Sequence, residues 1–300
     1  MKRAVVMGAA LAVAVATGDP AAAQRSGAAP QTPRSSAPVD FTGYWVAVVS
    51  EDWRHRMATP RKGDFESLPL NAEGRRVANE WDLAADNAAD LQCKAFGVGG
   101  LMRQPGRLHI TWADDDTLEI DFDAGTQTRR LEFGTAQPPT GEPTWQGFSR
   151  AEWQRPPGGN QNPVRAQIGN SAGPIAPGGG GRGQRGGPPP SGSLTEGGAL
   201  KVVTSGFREG YLRKNGVPYS NTATITEYIH RLPEVSGGDV WLHVLTIVED
   251  RRYLNDAFYT STHFKREANG SKWNPTECRT APPPPPVAPR PNAAPPLPLP

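Results

Sequence analysis

Leu108-His109-Ile110-Thr111-Trp112-Ala113-Asp114-Asp115-Asp116-Thr117-Leu118-Glu119-Ile120-Asp121-Phe122 decides the fold. Leu108, Ile110 and Trp112 alternate with His109 and Thr111, and past the acidic turn Leu118, Ile120 and Phe122 alternate with Glu119 and Asp121. An apolar period of two marks a strand with one buried face. Closing the hairpin on Asp114-Asp115-Asp116 sets Trp112 opposite Leu118 and Ile110 opposite Ile120, with His109 facing Asp121 on the other side.

The same period continues outward. Phe41 to Val49 is aromatic and β-branched, and further strands are expected at Gln127 to Phe133, Trp145 to Trp153, Leu200 to Phe207, Ala223 to Arg231, Val240 to Glu249 and Phe258 to Lys265. Asn71 fits the N-cap of a helix running through Trp81, with Val77 and Trp81 four apart as its apolar edge. The chain therefore reads as all-β: an antiparallel meander of about 8–10 strands, closed or half-closed into a barrel because closure removes open edges, with one short helix after the first strand.

Around this core lie segments of different composition. Met1-Lys2-Arg3 is a basic head, Ala4 to Ala16 an apolar run, and Ala21-Ala22-Ala23 a small-residue stretch before Gln24. That order reads as a secretory signal over residues 1–23, removed after Ala23. Its apolar run of roughly 13 residues falls short of the about 20 that a span needs, so no membrane span is expected after cleavage. Residues 24–38, 156–196 and 281–300 are Pro, Gly and Ser rich and bury too little apolar surface to offset the entropy of ordering them. They read as a linker, a surface insertion and a tail around a single domain at residues 39–280.

Charge and cysteine usage narrow the partners. Lys and Arg total 32 against 30 Asp and Glu, a net charge of +2, so nothing electrostatic argues for nucleic acid. Arg165, Arg182 and Arg185 in the insertion read as solubilising, and the proline tail as a spacer. An exported chain goes to the periplasm or the medium, where the 2 cysteines, Cys93 and Cys278, most simply form one disulfide; the alternative is two buried thiols.

Gly43-Tyr44-Trp45 on the first strand resembles the Gly-x-Trp signature of lipocalins, in which the Trp packs across the barrel under a basic residue from the last strand. Lys265 or Arg266 is the matching residue here. A stretch of about 60 residues with a helix follows that first strand, a length of connection that a simple β-hairpin does not need. More widely, NAEGRRVANEWD, LQCKAFG, MRQPGRLHITW, GTQTRRLEF, TWQGFSRAEW, LKVVTSGF, TEYIHR and TIVEDRRYL resemble a family of exported bacterial proteins with no assigned activity. The resemblance implies a lipocalin-like barrel and export, and assigns no catalytic residue.

No motif specifies a reaction or a cofactor. Ser149 in Gly147-Phe148-Ser149-Arg150-Ala151 approaches a hydrolase elbow, with Asp250 and His263 following, but it lies in an alternating strand, not in a strand-turn-helix. His230, His243 and His263 fall on the last three strands; they read as satisfied histidines, not as a metal site. A register pairing Tyr228 with His243 puts His230 on the same face. Arg129 shares a strand face with Leu131 and Phe133, and Glu227 shares one with Ile225 and Ile229, so two charges are forced inward and should meet each other or a ligand. Five tryptophans, Trp45, Trp112, Trp145, Trp153 and Trp241, are expected on strands, where they line a cavity or fill it. The expected ligand site is Arg129, Glu227, Tyr228, His243, Trp112 and Trp241, holding a small apolar molecule by one polar end. Two other readings stay open: an enzyme using Glu227 or Glu249 with a neighbouring His, and a filled barrel acting as an envelope or interaction protein. Tyr211 to Tyr219, with Asn215-Gly216 and Pro218, reads as a mouth loop or a plain connection.

Overall fold

The structure is a computed structural model that describes residues 31–154, 198–235 and 238–285. The expected signal peptide, residues 24–30 of the expected linker, the whole 156–196 insertion and the tail beyond 285 lie outside the described residues. Nine strands close into a barrel: β1 (Gly43–Val48), β2 (Arg107–Trp112), β3 (Thr117–Phe122), β4 (Gln127–Phe133), β5 (Phe148–Gln154), β6 (Ala199–Ser205), β9 (Thr224–Val235), β10 (Asp239–Glu249) and β11 (Phe258–Glu267). Around the wall the order is β1-β11-β10-β9-β6-β5-β4-β3-β2. A separate hairpin, β7 (Gly210–Arg213) with β8 (Val217–Tyr219), leaves the wall between β6 and β9.

The hairpin register expected from the sequence is present, with Trp112 against Leu118, Ile110 against Ile120 and His109 against Asp121. Leu108, Ile110, Leu118, Ile120 and Leu131 point inward and are buried, while Arg130, Glu132, Arg150 and Glu152 point outward. The wall is thus apolar inside and charged outside, the reverse of a barrel that faces lipid. Each fully buried aliphatic or aromatic side chain adds about 1.5–3 kcal/mol of hydrophobic stabilisation.

One joint departs from the antiparallel meander: β4 and β5 run parallel. Alternating directions cannot be carried round an odd number of strands, so a nine-strand ring must contain a parallel joint. Residues 134–147 supply the crossover connection that a parallel pair requires. The same return path corrects the expected strand Trp145 to Trp153. Gly147 takes a left-handed φ of 61°, and β5 begins only at Phe148, which leaves Trp145 in the bend before it.

The connection after β1 holds more helix than the single one expected. Besides α2 (Ala72–Glu80), which Asn71 caps by accepting from the Gly74 N–H at 2.8 Å, there are α1 (Trp53–Met57), α3 (Leu83–Ala88), a 3-10 turn (Gln92–Phe96) and α4 (Val98–Leu101). With the β7–β8 hairpin they close one end of the barrel. A core of Phe65, Leu68, Leu70, Ala78, Val98, Phe207, Leu212, Val217 and Tyr219 packs there on Ile225, Val248 and Phe258 at the strand ends. The Tyr211 to Tyr219 segment belongs to this cap, with Asn215-Gly216 at its turn; Gly216 has a φ of 79°, and a Cβ on it would collide with Trp81.

Cys93 and Cys278 are bonded and join the cap to the segment after β11. At the end away from the cap, Trp112, Phe133 and Trp153 pack on one another, and Phe41 stacks on Trp153. Trp153 Nε1 donates to the Pro33 carbonyl at 2.9 Å, so the described part of the expected linker lies against this plug. The Gly-x-Trp tryptophan, Trp45, is fully buried and donates to the Phe41 carbonyl, and the Arg266 guanidinium sits 5.7 Å over its ring. Of the two basic residues anticipated opposite it, Arg266 is the partner.

Candidate functional site

The inward charges meet. Arg129 on β4 donates from Nη2 to Glu227 Oε2 at 2.6 Å and from Nη1 to Oε1 at 3.1 Å, a paired contact across the barrel. Both are buried, at 1% and 0% exposure, so this charge-assisted pair sits in a low-dielectric interior. Ser149 and Thr204 complete the shell: each lies near Arg129 Nη2, at 3.5 and 3.3 Å, and their hydroxyls are 2.8 Å apart. Ser149 is therefore bound into this network, with His263 on the outside of the wall, and no hydrolase arrangement forms.

Beside the pair, three more hydroxyls line the inside of β10 and β11. Thr246 stands opposite both Glu227 and Thr260, and Thr262 lies two residues further along β11. Their hydroxyls and Arg129 Nε are buried and have no hydrogen-bond partner among the described residues. Threonine is common in strands because its branched side chain fits the pleat, so in the sequence these three read as strand formers.

The remaining expected site residues do not join this centre. Tyr228 follows Glu227 directly, and a strand sends neighbours to opposite faces. Tyr228, Trp241 and His243 accordingly lie on the outer face, partly exposed. The pairing expected between Tyr228 and His243 is displaced by two residues: Tyr228 faces Leu245, and His243 faces His230. Trp112 is on the inner face, but in the aromatic plug at the uncapped end. Glu249 ends β10 exposed, and no His neighbours it or Glu227 in the hydrogen bonds and ion pairs of the described residues, so an acid–base pair with a His is not assembled.

Outside the wall His230, His243 and His263 stack in a row, with centroids 6.2 and 4.9 Å apart. Burial lowers the pKa of His230 and His243, and each neighbouring imidazole adds to the effect. Glu51 closes the row 3.6 Å from His263 Nδ1. Concavities lie elsewhere: one of about 1270 Å³ between Leu83, Asn87, Gln92 and the segment Glu277 to Pro282, one of about 730 Å³ along Gly63 to Pro69 and Ala257 to Tyr259, and a smaller one of about 240 Å³ under Trp273 beside Tyr44 and His109. Among the described residues no helix is long and apolar enough to cross a membrane.

No family model matches this chain, and neither the curated proteins nor the solved structures compared with it contain a match.

Proposed function

We propose that this chain is an exported barrel that binds a small, mostly apolar molecule by one polar end, without catalysis. The observation that carries the reading is the set of buried donors without partners, the Thr246, Thr260 and Thr262 hydroxyls and Arg129 Nε, gathered beside an ion pair that is already neutral. A buried polar group left unpaired costs about 1–3 kcal/mol, so several in one place favour a guest that can accept hydrogen bonds. Because Glu227 balances Arg129, that guest is uncharged at this end; a carbonyl or ether oxygen fits the chemistry. The disulfide and the leader-like start of the sequence support an oxidising, exported setting, periplasmic or secreted.

A second reading has an observation of its own. Trp45, Ile120, Leu131, Leu200, Val202 and Leu242 inside the barrel are each at most 1% exposed, as in a barrel filled by its own side chains and used as a scaffold. Native mass spectrometry of protein purified from its own cell envelope separates the two. The binding reading expects a co-purifying small molecule that is lost in a Thr246→Val/Thr260→Val variant and weakened by Arg129→Met. A bare chain mass for the wild type, with nothing recovered by solvent extraction, refutes it in favour of the filled barrel.

A further inference from the structure

The cap holds a second and unrelated collection of charge. Arg56 on α1, Arg103 after α4 and Arg213 at the end of β7 are 2%, 7% and 4% exposed. Arg56 spends Nε on the Arg103 carbonyl and Nη1 on Glu51, and Arg103 spends Nη2 on Asp52 at 2.7 Å. What remains is unusual: among the described residues, Arg56 Nη2, Arg103 Nη1 and all three nitrogens of Arg213 are buried with no partner, as is His55 Nδ1. Burial pushes the Arg213 guanidinium down to about 10, and the like charge of Arg103 pushes the same way, against partial relief from Asp52, Asp64 and Glu66. Burial lowers His55, and Arg213 is the next cause, so the imidazole also senses this charge.

Counting charges shows what is missing. Arg54, Arg56, Arg103, Arg213 and Lys214 face Glu51, Asp52, Asp64 and Glu66, and each carboxylate pairs with an arginine other than Arg213: Glu51 with Arg56, Asp52 with Arg103, and Asp64 and Glu66 with Arg54. Asp64 lies 3.6 Å from Arg54 and 3.5 Å from His55. Arg213 is left over. A buried, unpaired guanidinium costs several kcal/mol and is the group proteins use for forked recognition of carboxylate and phosphate.

We propose that Arg213, with the free edges of Arg56 and Arg103, is the seat of a small oxyanion bound in the cap, independent of the barrel interior. A single negative charge brings the cluster to balance. The donor atoms of His55, Asp64 and Glu66 also lie within 4.8 Å of one another, which is metal-like spacing. Arg54, however, already contacts both carboxylates, at 3.6 and 2.6 Å, and Arg213 adds a second positive charge, so the field there repels a cation. Glu66 also lines the concavity of about 730 Å³, which places an open groove next to the cluster for the rest of a ligand.

The test is thermal unfolding of the full chain at constant ionic strength, with chloride as the background anion. Acetate probes for a carboxylate and inorganic phosphate for a phosphoryl group, each titrated over several decades. Above its Kd the recognised anion should raise Tm by about 3–5 °C per tenfold in concentration, since it binds only the folded state. The probe with the lower Kd identifies the class. Arg213→Met should abolish the slope while leaving Tm in chloride unchanged or higher, because it removes an uncompensated buried charge. Should that variant not fold, Arg213→Lys keeps the charge without the fork and should raise the apparent Kd about tenfold. A wild type indifferent to both probes overturns the proposal, as does an Arg213→Met variant that keeps the wild-type slope or an Arg213→Lys variant whose apparent Kd is unchanged.

Discussion

Replacing Glu227 by Gln keeps the size of the side chain and one acceptor oxygen but leaves Arg129 charged in the barrel without a counter-ion. Removing one partner of a buried pair costs about 3–5 kcal/mol. Coulomb's law gives a similar figure: unit charges about 4 Å apart at an effective dielectric of about 20 attract by about 4 kcal/mol. The shell does not make up the loss, because Ser149 and Thr204 meet Arg129 only at 3.5 and 3.3 Å. Urea unfolding followed by tryptophan fluorescence at neutral pH should therefore show Glu227→Gln destabilised by about 4 kcal/mol, or roughly 8–16 °C in Tm for a domain of this size. The double variant Arg129→Met/Glu227→Leu replaces the pair by apolar groups and should lie within about 2 kcal/mol of the wild type. A cost below about 1 kcal/mol for the single change, or a double variant as unstable as the single one, would refute the view that the two charges are buried against each other.

Three further outcomes are expected. The disulfide closes a loop of 185 residues, so in the chain-entropy model its reduction should lower stability by up to about 5 kcal/mol, read as the shift in urea midpoint with and without reductant. His230 and His243 have folded pKa values below their ordinary 6.5, so the unfolded chain binds the extra protons. Their contribution is fully present above pH 6.5 and is lost as pH falls below it; a His243→Phe variant should show a flatter loss of stability between neutral and acid pH than the wild type. Arg266→Ala removes the cation over Trp45 and should cost about 0.5–1 kcal/mol with a change in tryptophan emission, and unaltered emission would count against that stacking.

Local alternation made much of the barrel legible. Leu108 to Phe122 contains its own register because the turn is short and one face must be buried. Arg129 and Glu227 are recognisable as inward charges for the same reason, since Glu227 sits between Ile225 and Ile229 and Arg129 shares its alternation with Leu131 and Phe133. Tyr228 and His243 failed for two physical causes. Adjacent strand residues cannot share a face, and the β9–β10 hairpin pairs Tyr228 with Leu245 and His243 with His230, two residues from the expected register. The parallel joint follows from the parity of the strand count, which no local pattern reports. The arginines of the cap were illegible for a different reason: Arg56, Arg103 and Arg213 lie far apart in sequence, on a one-turn helix, a turn and a short hairpin strand, none of which carries a usable period.

The parallel joint between β4 and β5 is held by only three registered pairs, Leu131 with Ser149, Glu132 with Arg150 and Phe133 with Ala151, whereas β5 and β6 share seven. It is the seam at which this cylinder should part first. Arg129 and Glu227 stand on β4 and β9, on either side of that seam, and Ser149 and Thr204 hang from the two staves between them. The ion pair thus works as a cross-brace over the weakest line of the wall. Amide exchange along β4 and β5 should accelerate ahead of the rest of the barrel once the brace is cut.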